Sequence, residues 1–538
     1  MAKPKIPNQK KKYQELNNRL NRYVALVEQI YNTLNLEAAK AVSRTDYSAD
    51  SDKPFKWADY PQTRKQIDDI QMQFVDDIHT VIYRGTSEEW QNSNEVQDLM
   101  ADKVLQAYDA IVDKKKYTVL YQTNSDVLKA FQSRKDKGFN ISDKLWNQST
   151  IYKEELEAAI SCAIQKGTSA ITLSKQISKY LLDFPSLQKD YKEKYGSAKH
   201  LLDCEYRSIR LARSEINMAY RTAENERWKQ MDFVVGYEIK LSGSHHHRMP
   251  HGDICDMLAG KYPKDFVWTG WHPNDLCYKI PILKTEEEFW AWDGRSAATT
   301  ESVNGVKDVP DGFKQWVLSN QQRINEAKRS GTLPYFLLNN KSALNKISLE
   351  KSVDEILLKA KAVGDEVQDF AEHIANRNNG FVTPINYKSA SSIIRKVTTE
   401  GITPYDIKDA VRTTIIVSKE DIENTLKDLS IDESFIRLKR QEPKSFMGYS
   451  GNIVNIKTSN GLIAEIQVNT AKMIYAKEEP VYAKRILGEK LWNEIYAQTG
   501  IEGGLGHKYY EQWRVLDKAS EKAIEIAKKS VDYYSNFQ

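Results

Sequence analysis

From residue 9 to about residue 230 helix-forming residues dominate and Pro and Gly are sparse, which predicts a run of helices. The pattern is clearest over residues 209–223. There Ile209, Ala212, Ile216, Ala219 and Ala223 recur at alternating spacings of three and four and fall on one helix face. The small residues on that face allow close helix packing, although an ordinary buried stripe would read the same way. From Phe233 the texture changes. Residues 233–241 read as a strand, and a loop rich in His, Pro, Gly and Cys runs on to Leu283. Residues 284–344 are mixed and polar, with turn signals at Gly294-Arg-Ser296 and Asp308-Val-Pro-Asp-Gly312, and predict a connector with some local structure. A charged helix over residues 348–376 opens the last region.

In that region the period changes to two. Residues 411–417 are β-branched and apolar and predict a buried strand. A hairpin follows: residues 453–456, a turn at Ser459-Asn-Gly461, then residues 462–468. In its second strand Leu462, Ala464, Ile466 and Val468 share one face, and Ile463, Glu465 and Gln467 share the other. Upstream, Lys388, Ser392 and Lys396 are spaced i, i+4, i+8, so a helix would place two ammonium groups and a hydroxyl on one side, with Arg395 close by.

At 538 residues the chain is too long for one core, and about three or four domains are expected. Charged residues make up 28% and hydrophobic residues 40%, a composition of ordered, soluble protein. The net charge of +4 is small for this length and forces neither a nucleic-acid nor a membrane partner. Four cysteines, Cys162, Cys204, Cys255 and Cys277, are too few for a disulfide framework, so a reducing compartment is expected. The basic N-terminus lacks the apolar stretch of a secretory signal, and no apolar run approaches the ~18 residues of a membrane helix. No membrane association is expected.

Candidate chemistry then sharpens the last region. Two cations flanking a hydroxyl at Lys388, Ser392 and Lys396 suit a polyphosphate, although a solvated basic face would have the same spacing. Asp409 lies at the mouth of the 411–417 strand, where a carboxylate can hold Mg²⁺ bridged to phosphates, and Arg412 follows inside the strand. Glu465 stands on the non-core face of its strand and gains meaning only if it converges with Asp409. Met447-Gly-Tyr-Ser-Gly451 brackets an aromatic with glycines and offers Tyr449 for base stacking.

Together these pieces resemble the synthetase domain of the RelA/SpoT family, makers of guanosine tetra- and pentaphosphate alarmones. The matching residues are Lys388-Ser389, Ser392-Ile393, Arg395-Lys396, Ile407-Lys-Asp409-Ala-Val-Arg412, Gly448-Tyr449, Glu465-Ile-Gln467 and, in a later helix, His507 with Tyr509 to Glu511. The resemblance covers roughly residues 355 to 525. It implies an α+β nucleotidyltransferase-type domain with a mixed β-sheet. It also implies contacts from Lys388, Ser392, Lys396, Arg412 and Gln467 to ATP, Mg²⁺ on Asp409 and Glu465, help from Glu465 in activating the acceptor hydroxyl, and Tyr449 stacked on the acceptor base. The implied reaction is transfer of pyrophosphate from ATP to the 3′-hydroxyl of a guanine nucleotide or of a tRNA end. A neutralising immunity protein is the partner expected of a toxin of this kind. Two departures stand out: Asn386 occupies a position where the family usually has Arg, and no His follows Gly448-Tyr449.

In the middle of the chain His245, His246, His247, His251, Cys255, His272 and Cys277 crowd together. Cys and His suit Zn²⁺, and Cys255, His272, Cys277 and His247 are the expected ligands, against the alternative of a plain turn-rich loop. This stretch resembles the phage Mu F-like minor head protein family (phage head morphogenesis domain). The resemblance rests on Leu211-Ala-Arg213-Ser-Glu215, Asp253-Ile-Cys255-Asp256, Gly260-Lys261, His272-Pro273-Asn274 and Cys277, with residues 141–146 and Gly167-Thr-Ser fitting the earlier half. Where the family ends Cys-Arg-Cys, this chain reads Leu276-Cys277-Tyr278.

The expected organisation is a helical N-terminal region (1–119), a Mu F-like domain with a small Cys/His-rich αβ end (120–285), a connector (286–344) and a RelA/SpoT-like domain (345–538). The resemblances imply a phage minor head protein, with portal or capsid partners, found in the virion and then in the bacterial host cytoplasm, carrying an enzyme at its C-terminal end. A purely structural head protein whose last domain has lost its chemistry is the alternative.

Overall fold

The computed structural model describes residues 4–45, 53–107, 117–136, 138–164, 169–290, 301–441 and 447–538. It divides into two compact units, residues 1–344 and 345–538. The Gly294-Arg-Ser296 turn signal and Gly167-Thr168 of the head-protein pattern lie outside the described residues.

The first unit is built on four long helices, Gln9–Ser43, Pro61–Ala107, Ile141–Ala163 and Cys204–Gln230. Ala212, Ile216, Ala219 and Ala223 are all buried, as their spacing requires. Close approach is set from the facing helix as well: a side chain on Gly85 would stand 2.5 Å from Ile216 Cδ1. One core runs from Val27 and Phe74 through Leu145 and Leu156 to Ala212, so residues 1–119 and 120–285 share a core instead of forming separate domains. The Cys/His-rich end adds an antiparallel sheet, with β1 (Val234–Lys240) between β2 (Gly260–Pro263) and β3 (Tyr278–Leu283). The expected connector packs on this end: Phe313 meets Phe266 edge-on at 5.3 Å and Phe336 meets Trp271 at 5.2 Å. Among the described residues no helix is long and apolar enough to cross a membrane.

In the second unit the expected helix over 348–376 is two helices, Lys341–Ala362 and Gly364–Arg377, broken at Val363. Its sheet holds β4 (Phe381–Val382), β5 (Asn386–Tyr387), β6 (Val411–Ile416), β7 (Phe435–Gln441), β8 (Gly451–Lys457) and β9 (Ile463–Asn469). The order is β4-β6-β9-β8-β7, with β5 also on β6. Only the β6/β9 pair is parallel, so the sheet is mixed. Alternation decides its two faces. Ala464, Ile466 and Val468 are buried in one core with Val411, Val454 and the helix residues Val367 and Leu426. Glu465, Gln467, Arg412 and Thr414 occupy the other face and are half-buried. A second cluster, with Met473, Tyr475, Trp492 and Tyr534, is formed by helices that follow β9.

Candidate nucleotide site and Cys/His cluster

In the second unit the polar face of the sheet carries a transverse row. The pairing registers set Asn386 opposite Arg412, Arg412 opposite Glu465, Glu465 opposite Asn455, and Asn455 opposite Arg437. Residues paired across a ladder point to the same face, so these side chains are neighbours. Asp409 sits where the chain enters β6, three residues before Arg412. Lys388 Nζ donates to its Oδ2 at 2.5 Å and Lys396 Nζ to its Oδ1 at 3.1 Å. Burial pushes the Asp409 carboxyl up, but the hydrogen bond and charge of Lys388, joined by Lys396, outweigh it and hold the group below the ordinary carboxylate range.

The two lysines reach Asp409 from different elements. Lys396 lies on the helix Ala390–Glu400, whose cap is Ser389: its hydroxyl accepts from the Ser392 N–H and packs against the Ser392 hydroxyl. Ile393 and Val397 anchor that helix to the core. Lys388 precedes the cap and is not helical. Its N–H donates to Ala410 O at 3.0 Å, extending the β5/β6 ladder. The i, i+4, i+8 helix predicted for Lys388, Ser392 and Lys396 therefore holds for the last two alone, because the cap falls between Lys388 and Ser392.

Glu465 accepts from Gln467 Nε2 at 2.7 Å, and Gln467 Oε1 accepts from Lys477 Nζ at 3.3 Å. Arg412, Thr414, Gln467, Asn386 and Lys477 line a small cleft of about 40 Å³. Arg412 has no hydrogen-bond or ion-pair partner among the described residues, and an unpaired guanidinium beside a cleft suits an anionic oxygen. Tyr449 does not stand with a bare ring at the rim. Its hydroxyl accepts from Asn469 Nδ2 at 2.7 Å, Tyr534 meets the ring edge-on at 5.7 Å, and Lys477 Nζ lies 5.5 Å from its centre. Gly448, at φ 75°, permits this loop to close on the last helix: a Cβ there would lie 2.6 Å from Val531 Cα.

Asn455 gave no signal in the sequence. It is fully buried, takes Arg437 Nε on its carbonyl at 2.7 Å and donates to Lys408 O and Ala464 O, each at 3.2 Å. It thereby ties the segment bearing Asp409 to the strand bearing Glu465. Two carboxylates are hard oxygen donors of the kind Mg²⁺ selects, and the flanking ammonium and guanidinium groups suit phosphates.

In the first unit His245, Cys255 and Cys277 bring one donor atom each to within 4.8 Å of one another, and Asp253, Cys255 and His272 do the same. Cys255 belongs to both groups, with its Sγ 3.2 Å from His272 Nε2. The His272 Nδ1 faces Pro273 O at 2.7 Å, a contact that fixes the ring and leaves Nε2 toward the sulfur. His245 Nε2 also lies 2.9 Å from Asp256 Oδ2. The hydrogen bond with Cys277, then burial and the charge of Asp275, push the Cys255 thiol up. Of the expected zinc ligands, Cys255 meets Cys277 in one group and His272 in the other. His247 is exposed and belongs to none of these groups, and the ring turned inward is that of His245, 2% exposed. Consecutive residues of one helical turn point about 100° apart, so only one of the three adjacent histidines faces the sulfurs. His245 with the two thiols, and His272 with Cys255 and Asp253, make two three-donor groups joined at Cys255, of the residue types that suit Zn²⁺.

Two lysines on Asp409, with an arginine on the strand that follows, suit a phosphate-bearing ligand. No protein-family profile matches the chain. Over 184 residues it is 35% identical to the (p)ppApp synthetase toxin Tas1 of Pseudomonas aeruginosa (strain UCBPP-PA14), a match that covers 34% of this chain and 41% of that toxin. The chain thus spans about two fifths of the length of the curated relative. The crystallised complex of the Type VI effector Tas1 with its immunity protein is 35% identical and covers 35% of this chain and 96% of that one, with a TM-score of 0.33. The small alarmone synthetase 1 from Bacillus subtilis is 15% identical and covers 34% of this chain and 91% of that one, with a TM-score of 0.24.

Proposed function

We propose that residues 345–538 transfer pyrophosphate from ATP to the 3′-hydroxyl of an acceptor nucleotide and act as a toxin. The observation that carries this reading is the pair Lys388 and Lys396 on Asp409 beside the row Arg412–Glu465. Lys388, Lys396 and Arg412 would bind the ATP phosphates and neutralise the charge that builds on them. Asp409 and Glu465 would hold Mg²⁺, which polarises the phosphoryl oxygens when bound. The acceptor hydroxyl attacks the β-phosphorus, the bond from that phosphorus to the α,β-bridging oxygen breaks, and AMP leaves. The hydroxyl proton goes to the Glu465 carboxylate, which Gln467 holds in place. Tyr449 would bound the acceptor base with one ring face and must shed Lys477 to do so.

The name of the 35%-identical relative favours an adenine nucleotide as acceptor over the guanine nucleotide or tRNA end expected from the family at large. The full chain, given γ-labelled ATP with ADP, GTP or tRNA, should label the adenine nucleotide first. Asp409→Asn and Glu465→Gln should each abolish labelling. Labelling by either variant equal to that of the wild type would overturn the reading. A neutralising immunity protein is the partner this reading calls for, and the Tas1 complex supports it.

For the first unit we propose the phage head role, with portal or capsid partners, and a structural Zn²⁺ held by Cys255, Cys277, His272 and His245. Delivery in the virion to the cytoplasm of a bacterial host follows from that role. Proteomics of purified virions tests it, and absence of peptides from 345–538 would refute delivery.

A further inference from the structure

Strand β9 leads through Asn469 into the helix Ala471–Lys477, which the Thr470 hydroxyl caps by accepting from the Met473 N–H. Met473, Ile474, Tyr475 and Ala476 are buried in the second cluster of this unit, so the setting of the helix is fixed. Its last residue, Lys477, joins Arg412 and Gln467 in lining the cleft on the polar face of the sheet. There Lys477 Nζ donates to Gln467 Oε1 at 3.3 Å, pairs with Glu478 Oε1 at 3.0 Å and lies 5.5 Å from the centre of the Tyr449 ring.

Gln467 passes this contact on. Its Nε2 donates to Glu465 Oε1 at 2.7 Å, and among the described residues its Oε1 accepts from Lys477 alone. A glutamine side chain has several rotatable bonds, and a single bond at its tip leaves it room to swing. A carboxamide held at both its nitrogen and its oxygen has lost that freedom. An ammonium can only donate and a carboxylate can only accept, so the order ammonium, carboxamide, carboxylate runs one way and admits no flip. Both end bonds are charge-assisted, and each polarises the other. A phosphate-binding role of the kind given to Arg412 fits Lys477 less well, because its charge is already paired with Glu478.

We propose that Lys477 is a positioning residue for pyrophosphate transfer: it anchors the Gln467 carboxamide and through it sets the Glu465 carboxylate that takes the acceptor's hydroxyl proton. The inference rests on the transferase reading of residues 345–538. Gln467 occupies Glu465 Oε1, so Oε2 receives the proton. Lys477 itself touches neither ATP nor the reacting atoms. When an acceptor base takes the Tyr449 ring face, Lys477 keeps Gln467 and Glu478 as its partners.

The test is a double-mutant cycle on the full chain. Initial rates of transfer from γ-labelled ATP are measured to whichever of ADP, GTP or tRNA the wild type labels, and melting curves check the fold. Lys477→Met should lower kcat about ten- to hundredfold, the scale of a misplaced reacting group, and leave KM for ATP unchanged. Lys477→Arg keeps a donor-only cation and should regain most of the loss. Gln467→Leu should lose about as much as Lys477→Met, and the double variant no more than the worse single, because the two act on Glu465 in series. An unchanged kcat in Lys477→Met, a risen KM for ATP in its place, losses that multiply in the double variant, or Lys477→Arg as slow as Lys477→Met would each overturn the proposal. A wild type that labels none of the acceptors would overturn the transferase reading and this proposal with it, a result distinct from all of these.

Discussion

Asn455→Leu should loosen the junction of β8, β9 and the Asp409 segment without leaving a hole, because leucine keeps asparagine's branching at Cγ, is larger, and carries no hydrogen-bonding group. The native side chain makes three hydrogen bonds, one from a guanidinium and two to backbone carbonyls. Arg437 is exposed and can turn to water, so its bond counts near the low end. The carbonyls of Lys408 and Ala464 lose a partner in a buried place. At about 0.5–1.5 kcal/mol per bond, with the stranded carbonyls at the upper end, the loss is about 2–4 kcal/mol. Native-state hydrogen exchange on peptides from Gly451–Lys457 and Ile463–Asn469 reads this directly, since protection falls tenfold for each ~1.4 kcal/mol. The expected acceleration is about 30- to 700-fold, while peptides from the Cys204–Gln230 helix of the other unit stay unchanged. An acceleration below about fivefold, under ~1 kcal/mol, would show that Asn455 fills space and ties nothing together.

Further outcomes follow from the same geometry. His245→Ala should strip zinc from the purified chain by elemental analysis while His247→Ala leaves it in place, and the reverse would restore the ligand set expected from sequence. Lys388→Met removes the main group that holds the Asp409 carboxyl down. That carboxyl is depressed in the fold, so its contribution is present above its ordinary pKa of 3.8 and is lost as pH falls through the folded value. The acid-unfolding midpoint of the second unit should therefore move to higher pH in Lys388→Met, as followed by circular dichroism. Glu155, buried beneath Tyr31 and the Cys204 N–H, is pushed up to about 8 by burial from an ordinary 4.5. Its contribution is fully present below pH 4.5 and drains away as pH rises toward 8. Glu155→Gln should raise the melting temperature of the first unit at pH 8 more than at pH 5, and an equal shift at both would refute the assignment.

Much of the second unit was legible because a strand has a period of two and one face of this sheet is buried. The alternation over 462–468 placed Glu465 and Gln467 on the polar face, and the β-branched run of 411–417 placed Arg412 in a strand. Lys388 was misplaced because its spacing to Ser392 and Lys396 fits a helix, and the cap at Ser389 overrides spacing. The roles of Asn455 and Lys477 depend on partners 47 and 10 residues away, and no local pattern encodes them. In the first unit β2 and β3 went unseen as strands because they are short and carry Gly260, Pro263 and Pro281. Which of three adjacent histidines turns inward is likewise decided by the fold around them and not by composition.

The contact of Gly448 with the last helix also sets an order of events in synthesis. Met447 O accepts from Ser530, Gly448 O accepts from Gln538 Nε2, and Tyr449 leans on Tyr534. A ribosome that has released residues up to about 520 has already delivered β6 to β9 with Asp409, Glu465, Lys388, Lys396 and Arg412. It has not delivered the segment that closes the Tyr449 loop. The nascent chain thus carries these side chains well before the Tyr449 loop can close. The Tyr449 loop is therefore shaped only once the helix Glu521–Tyr534 has left the exit tunnel.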